Sequence, residues 1–185
     1  MSEPQGFTIW FTGLSGAGKS TIADLVIPEL ERRGRVVEAL DGDVVRTHLS
    51  RGLGFSKEDR DTNIHRIGWV ASRITRHGGV TVVSAISPYE DTRQAAREMV
   101  AEFGAFVCVY VCTSVEECVR RDTKGLYAKA IAGEIKEFTG ISDPYEAPAS
   151  PELTIETEGE APEDGAARVV AYLEQRGLVK AAVTA

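Results

Sequence analysis

Eight residues near the start constrain this chain most: Gly13-Leu14-Ser15-Gly16-Ala17-Gly18-Lys19-Ser20. They read G-x-x-x-x-G-K-S, the pattern of a loop that cradles phosphate. Thr8-Ile9-Trp10-Phe11-Thr12 before it is strand-like, and Ile22, Leu25, Val26 and Leu30 after it recur at helical spacing. A strand, a glycine loop and a helix in that order aim successive backbone N–H groups and the positive end of a helix dipole at one anion. Gly13, Gly16 and Gly18 let the backbone turn around phosphate without Cβ clashes. Lys19 has the reach for the β- and γ-phosphates, and the Ser20 hydroxyl is a ligand for Mg²⁺. The loop predicts binding of a nucleoside triphosphate and leaves the phosphate acceptor open.

Bulk properties narrow the acceptor. At 185 residues the chain is expected to be one domain with a substantial core. A net charge of −7 argues against nucleic acid as partner, because a duplex needs a basic face. An anionic substrate must therefore be gripped by a local cluster of arginine and lysine. No apolar run is long enough to span a bilayer, and Met1 to Gly6 lack the basic and apolar regions of a signal peptide. Cys108, Cys112 and Cys118 have no metal-ligand spacing and read as small apolar side chains in a reducing cytoplasm.

Strand and helix patterns alternate along the chain, which implies an α/β fold with a parallel sheet covered on both faces. Strands are expected at about 7–12, 36–40, 80–86, 106–112 and 153–157, with 80–86 apolar enough to be central. Helices are expected at about 19–33, after Asp43, from Ser56 to Gly78, and at about 91–103, 114–121 and 164–176. Pro28 is expected to bend the first helix or shorten it by a turn. Between about 122 and 151 the periodicity fails. A segment that long, rich in Gly, Pro, Lys and Glu, reads as a lid or binding loop. The last residues, 181–185, read as loose.

Several side chains then gather on the acceptor side of the loop. Asp41-Gly42-Asp43 ends the second strand, at the carboxyl edge where open α/β sheets bind ligands. Phosphoryl transfer to an alcohol needs a carboxylate that orients the hydroxyl and accepts its proton. Asp43 suits that role and Asp41 suits a Mg²⁺-bound water; the plainer alternative is a turn capping the next helix. The third strand ends in Ser84-Ala85-Ile86-Ser87-Pro88 without a carboxylate, so the metal-directing acid falls to Asp41 or Asp43. Ser87 is drawn toward the transfer zone, where it binds substrate, takes a phosphate or merely caps the Pro88 turn. Arg46, Arg60 and Asn63 suit phosphate or sulfate oxygens. Phe55 and Phe138 are candidate stacking surfaces for a base, and Phe55 is alternatively a plug in an apolar cluster. Arg120, Arg121 and Lys124 concentrate positive charge where the lid begins. His48, His65 and His77 fall on polar faces.

These motifs together resemble the adenylylsulfate kinase family. The matching segments are Gly13 to Thr21, Asp41-Gly42-Asp43 with Arg46, and Gly52 to Ser56 with Asp59-Arg60 and Asn63-Ile64. Further on come Ser84 to Tyr89 with Arg93, Arg121-Asp122 with Lys124 to Tyr127, Gly133 to Lys136 with Phe138 to Ile141, and Asp143 to Pro148. The resemblance implies a three-layer P-loop kinase fold, a five-stranded parallel sheet with helices on both faces and a lid. It implies ATP and Mg²⁺, and transfer to the 3′-hydroxyl of adenosine 5′-phosphosulfate. Carried over, Gly13, Leu14, Ser15, Gly16, Ala17, Gly18, Lys19, Ser20 and Thr21 with Arg121 bind ATP. Asp43 sits at the reacting hydroxyl and metal, and Lys124 belongs to the closing lid. Arg46, Arg60, Asn63, Asp41 and Ile86 line the acceptor, with Phe55 and Phe138 flanking its adenine. Ser87 matches a serine described in the family as a phosphoserine intermediate. A homodimer is implied as well. Two positions depart from the pattern: His65 stands before Arg66 where arginine is usual, and Cys112 stands where the fourth strand often ends in aspartate.

Two other functions compete. A kinase of another small acceptor would turn over with AMP or a sugar acid. A nucleotide-dependent switch would hydrolyse slowly without any acceptor, but the sequence has no guanine-reading Asn-Lys-x-Asp motif.

Overall fold

A computed structural model describes residues 5–181. The tail expected to be loose lies, apart from Ala181, outside those residues. Five strands form one parallel sheet: β1 (Phe7–Thr12), β2 (Val37–Asp41), β3 (Val80–Ser84), β4 (Ala105–Cys112) and β5 (Leu153–Glu156). Their order is β2-β3-β1-β4-β5. The centre is therefore β1, flanked by β3 and β4, and not β3 as its apolar run suggested. β1 can sit there because all six of its residues are buried, with large side chains on both faces.

Alternation along β1 separates two cores. Phe7, Ile9 and Phe11 pack with Ile22, Val26 and Leu30 of α1 (Lys19–Arg32) and with Val169 and Leu173 of α7 (Pro162–Gln175). Trp10 points the other way and packs with Ile64, Ile67 and Ala71 of α3 (Lys57–Arg76) and Ala96 and Val100 of α4 (Glu90–Ala101). Gly68 permits the close α3–α4 contact, since a Cβ there would lie 2.9 Å from that of Ala96.

Helix ends follow the expected chemistry. The Ser56 side chain accepts from Asp59 N and starts α3, and Ser114 accepts from Glu117 N and starts α5 (Val115–Arg121). Pro28 lies inside α1 without shortening it; the helix continues to Arg32. β3 stops at Ser84, two residues before the expected end, and hands Ala85 to Pro88 to the site. The expected lid holds one helix that periodicity missed, α6 (Leu126–Ile131). Six residues are too few to show a period. It is nucleated by the Asp122 carboxylate, which accepts from the amides of Tyr127 and Ala128. Among the described residues no helix is long and apolar enough to cross a membrane, and no cluster of three or more acidic, histidine and cysteine side chains is placed to hold a metal ion. Cys108 and Cys118 are buried, and burial pushes the Cys108 thiol up to about 12.

Candidate active site

Where β1 ends, Gly13 begins the glycine loop with φ +147°, and a Cβ there would lie 2.4 Å from the Val111 carbonyl oxygen of β4. Only glycine lets the loop leave the strand so close to its neighbour. The loop delivers the chain to α1, whose N-cap Gly18 is left-handed. Tyr127 donates to the Ser15 carbonyl at 2.9 Å, and the Thr113 hydroxyl donates to that of Ala17 at 3.0 Å. Both residues support the loop from outside it, and neither stood out in the sequence, because a lone hydroxyl carries no spacing signal.

Lys19 is folded against its own loop. Its Nζ donates to the carbonyls of Gly13 at 3.0 Å and Leu14 at 2.7 Å. Burial lowers its pKa to about 8. Ser20 Oγ donates to Asp41 Oδ2 at 2.8 Å, and the other Asp41 oxygen accepts from Asp43 N at 2.9 Å. Asp41 thus performs two tasks: it caps α2 (Gly42–Thr47) and brings a carboxylate to the loop serine. Of the two candidate acids, Asp41 is the one beside Ser20. The oxygen pair matches the hard donors Mg²⁺ prefers.

A cavity of about 560 Å³ runs from this loop toward the lid. Ser15, Gly16, Gly18, Lys19, Ser20 and Thr21 line its phosphate end, together with Asp41 and Asp43. Arg46, Phe55, Arg60, Asn63, Ile86, Ser87, Lys124 and Phe138 line the rest. Asp43 is exposed, and its carboxylate pairs with Lys124 from the lid. Arg46 donates to the Gly54 carbonyl at 2.9 Å and lies 4.5 Å over the Phe55 ring. Phe55 is 58% exposed, so it is not a plug in an apolar cluster. Phe138 stands edge-on to Tyr127, with ring centroids 4.9 Å apart.

Arg60 crosses from α3 to the lid. It donates to Thr139 Oγ1 at 2.7 Å and to the Glu137 carbonyl, and pairs with Asp143 at 3.1 Å. Asn63, one turn along the same face, is 5% exposed and its Oδ1 has no partner among the described residues.

Five expected site residues sit differently. Gly13, Leu14 and Ala17 are buried within the loop and do not line the cavity. Arg121 also lies outside its lining; it is held by Glu117 at 2.7 Å and by the Thr157 hydroxyl and carbonyl at 3.0 and 2.9 Å. Ser87 reaches the cavity wall, but its hydroxyl turns inward. It accepts from Trp10 Nε1 and donates to Thr12 Oγ1, both at 3.0 Å, and the residue is 1% exposed. The expectation that its hydroxyl points toward the transfer zone is corrected, because the buried indole needs that acceptor. The backbone of Ser87 has φ +42°, and its carbonyl accepts from Arg93 at 2.5 Å. Arg93 also donates to the Glu146 carbonyl at 2.6 Å, joining this loop to the end of the lid.

The two departures from the pattern lie outside the cavity. His65 is exposed on α3. Cys112 lines a separate, more open groove of about 840 Å³ with Tyr110, Tyr145 and Glu156.

The geometry has counterparts among known proteins. The family model for adenylylsulphate kinase matches residues 5–156. An adenylyl-sulfate kinase of Halothermothrix orenii is 52% identical over 97% of this chain and 95% of its own. The structure of the Mycobacterium tuberculosis APS kinase in complex with AMPPNP and APS is 44% identical, with a TM-score of 0.88, covering 92% of this chain and 99% of that one. A hexameric APS kinase from Thiobacillus denitrificans is 41% identical with a TM-score of 0.74, covering 96% of this chain and 30% of its own. The framework that carries the phosphate loop is thus shared with these proteins, and the chain belongs to the adenylylsulphate kinase family.

Proposed function

We propose that this enzyme transfers the γ-phosphoryl group of ATP to the 3′-hydroxyl of adenosine 5′-phosphosulfate, giving 3′-phosphoadenylylsulfate and ADP. One observation carries the reading. A single cavity joins a triphosphate-binding loop to a carboxylate, two arginines and two aromatic rings on the acceptor side. Its relatives carry this activity in their names, and one was solved with an ATP analogue and APS.

In this reading the amides of Gly16 to Ser20 and Lys19 hold the phosphates. Ser20 and Asp41 would hold Mg²⁺, which would supply charge neutralisation at the phosphates. Asp43 orients the acceptor hydroxyl and takes its proton as the new O–P bond forms and the bond to the β-phosphate oxygen breaks. Lys124, already paired with Asp43, brings positive charge from the lid. Arg46, Arg60 and Asn63 receive the phosphosulfate, and Phe55 and Phe138 enclose the adenine. Direct in-line transfer needs no covalent enzyme intermediate. A phosphoserine at Ser87 would also lose the proton that its hydroxyl donates to Thr12 and place a charged group at a buried position. Residues 1–185 act as one domain with a lid at about 122–151, in the cytoplasm and as a homodimer.

An acceptor screen with Mg·ATP tests the activity. ADP release should depend on adenylylsulfate and fall sharply with AMP. Release that ignores the acceptor would favour a nucleotide switch, and turnover with AMP would favour a nucleoside monophosphate kinase.

A further inference from the structure

Tyr127 touches residues at both ends of the cavity without lining it. Its hydroxyl donates to the carbonyl of Ser15, at the phosphate end, at 2.9 Å. Its ring stands edge-on to Phe138, at the acceptor end, with centroids 4.9 Å apart. The residue is 1% exposed, so both contacts are sheltered from water. Burial holds the phenol above the usual tyrosine range, and it stays a donor at neutral pH. Its backbone is fixed as well, since Asp122 accepts from the amides of Tyr127 and Ala128, both at 3.0 Å.

The Ser15 contact bears on how the loop aims its amides. Across a trans peptide the C=O and the following N–H point in opposite directions. With the Ser15 carbonyl held by Tyr127, the Gly16 N–H faces away from Tyr127, and Gly16 lines the cavity. The two preceding carbonyls, of Gly13 and Leu14, accept from Lys19 Nζ at 3.0 and 2.7 Å. A triphosphate competes with them for the same ammonium, so nucleotide binding acts on the backbone segment that Tyr127 holds. At the other end Phe138 opens a turn, its carbonyl accepting from the amides of Ile141 and Ser142, both at 3.0 Å. Its neighbours Glu137 and Thr139 accept from Arg60.

We propose that Tyr127 is a positioning residue that couples the two substrates. ATP in the loop fixes the Ser15 carbonyl, and Tyr127 passes that order to Phe138 against the acceptor. The inference rests on the proposed reaction and names the residue that links its two binding ends. Such coupling is reciprocal: ATP tightens adenylylsulfate binding by the same factor as adenylylsulfate tightens ATP. Tyr127→Phe separates coupling from packing. It keeps the ring against Phe138 and removes only the hydroxyl that reaches Ser15.

The experiment is calorimetry on the full chain. It measures the Kd of adenylylsulfate with and without saturating Mg·AMPPNP, a non-hydrolysable ATP analogue, and the Kd of the analogue with and without adenylylsulfate. The wild type should show mutual tightening by a factor of roughly 5–150. In Tyr127→Phe that factor should fall to near one, while the Kd of adenylylsulfate alone stays nearly unchanged. Tyr127→Leu also removes the ring contact, so the factor should be lost and adenylylsulfate alone should bind more weakly. Circular dichroism checks that both variants fold. A wild-type factor of one, or a factor that survives Tyr127→Phe, overturns the coupling role. Affinities that weaken together in Tyr127→Phe with their ratio unchanged reduce Tyr127 to structural support and overturn it as well. Adenylylsulfate that binds neither with nor without the analogue overturns the proposed acceptor, and this inference with it.

Discussion

Ser20 Oγ lies 2.8 Å from Asp41 Oδ2, so the phosphate loop finds its acidic partner at the end of β2 and not of β3. β3 ends at Ser84, beside Asp41 in the sheet, and offers no acid. Asp41→Asn keeps an oxygen for the amide of Asp43 but removes the charge. We expect the Mg²⁺ concentration for half-maximal activity to rise by roughly 10–100-fold, as for other partners of metal ligands. A Mg²⁺ titration of initial rates checks this, and an unchanged midpoint would remove Asp41 from the metal site.

Asp43 and Lys124 are both largely exposed, and such pairs contribute only about 0–1 kcal/mol to stability. Asp43→Ala should therefore leave the melting temperature nearly unchanged. Turnover should drop by roughly 10²–10⁴, the usual share of a general base. ATP should still bind with near-normal affinity in equilibrium titration. Near-normal kcat would contradict the proton-accepting role.

The two aromatic rings separate stacking from packing. Base–aromatic stacking contributes roughly 1–3 kcal/mol. Phe55→Ala and Phe138→Ala should both weaken adenylylsulfate binding by that amount in calorimetry. Only Phe138→Ala should also lower the melting temperature, because its ring packs on Tyr127, which holds the loop at Ser15. An unchanged Kd for adenylylsulfate in either variant would exclude that ring from the acceptor site.

Lys19 gives a pH signature. Its folded pKa of about 8 lies below the ordinary lysine value of 10.5, with burial as the main cause. Between those values the unfolded chain binds the proton more tightly, so this lysine's contribution to stability rises as pH climbs from about 8 and is lost as pH falls through it. Bound triphosphate draws the proton back. Calorimetry at pH 8.5 in buffers of different ionisation enthalpy should show proton uptake on ATP binding, and at pH 6.5 this lysine should take up none. Binding enthalpies independent of buffer at pH 8.5 would count against a lysine poised in this way.

Arg93 acts through other groups. It is 3% exposed and holds Ser87 and Glu146 by their carbonyls. Arg93→Met should cost roughly 2–4 kcal/mol in urea unfolding, as breaking a buried hydrogen-bond network does. It should raise the KM for adenylylsulfate far more than the Kd for ATP, because Ile86 to Pro88 line the acceptor end. Equal losses on both substrates would reduce Arg93 to a general scaffold.

Local sequence determined the parts of this protein that depend on a few neighbouring residues. The glycine loop, the Ser56 and Ser114 caps and the alternating strands each have short-range causes, and each stands where its residues predicted. Several residues that line the cavity were legible for the same reason, since Asp41 to Arg46 and Arg60 to Asn63 are compact motifs. Tertiary structure decided what depends on elements meeting. It made β1 the centre of the sheet, because both of its faces find cores. It chose Asp41 over Asp43 as the partner of Ser20, since only the β2 terminus comes within hydrogen-bond reach of the loop. It turned the Ser87 hydroxyl toward Trp10, a residue 77 positions away in sequence, because a buried indole N–H must be paired. Spacing in sequence records such contacts only when partners are local, and these partners are brought together by the sheet and the lid.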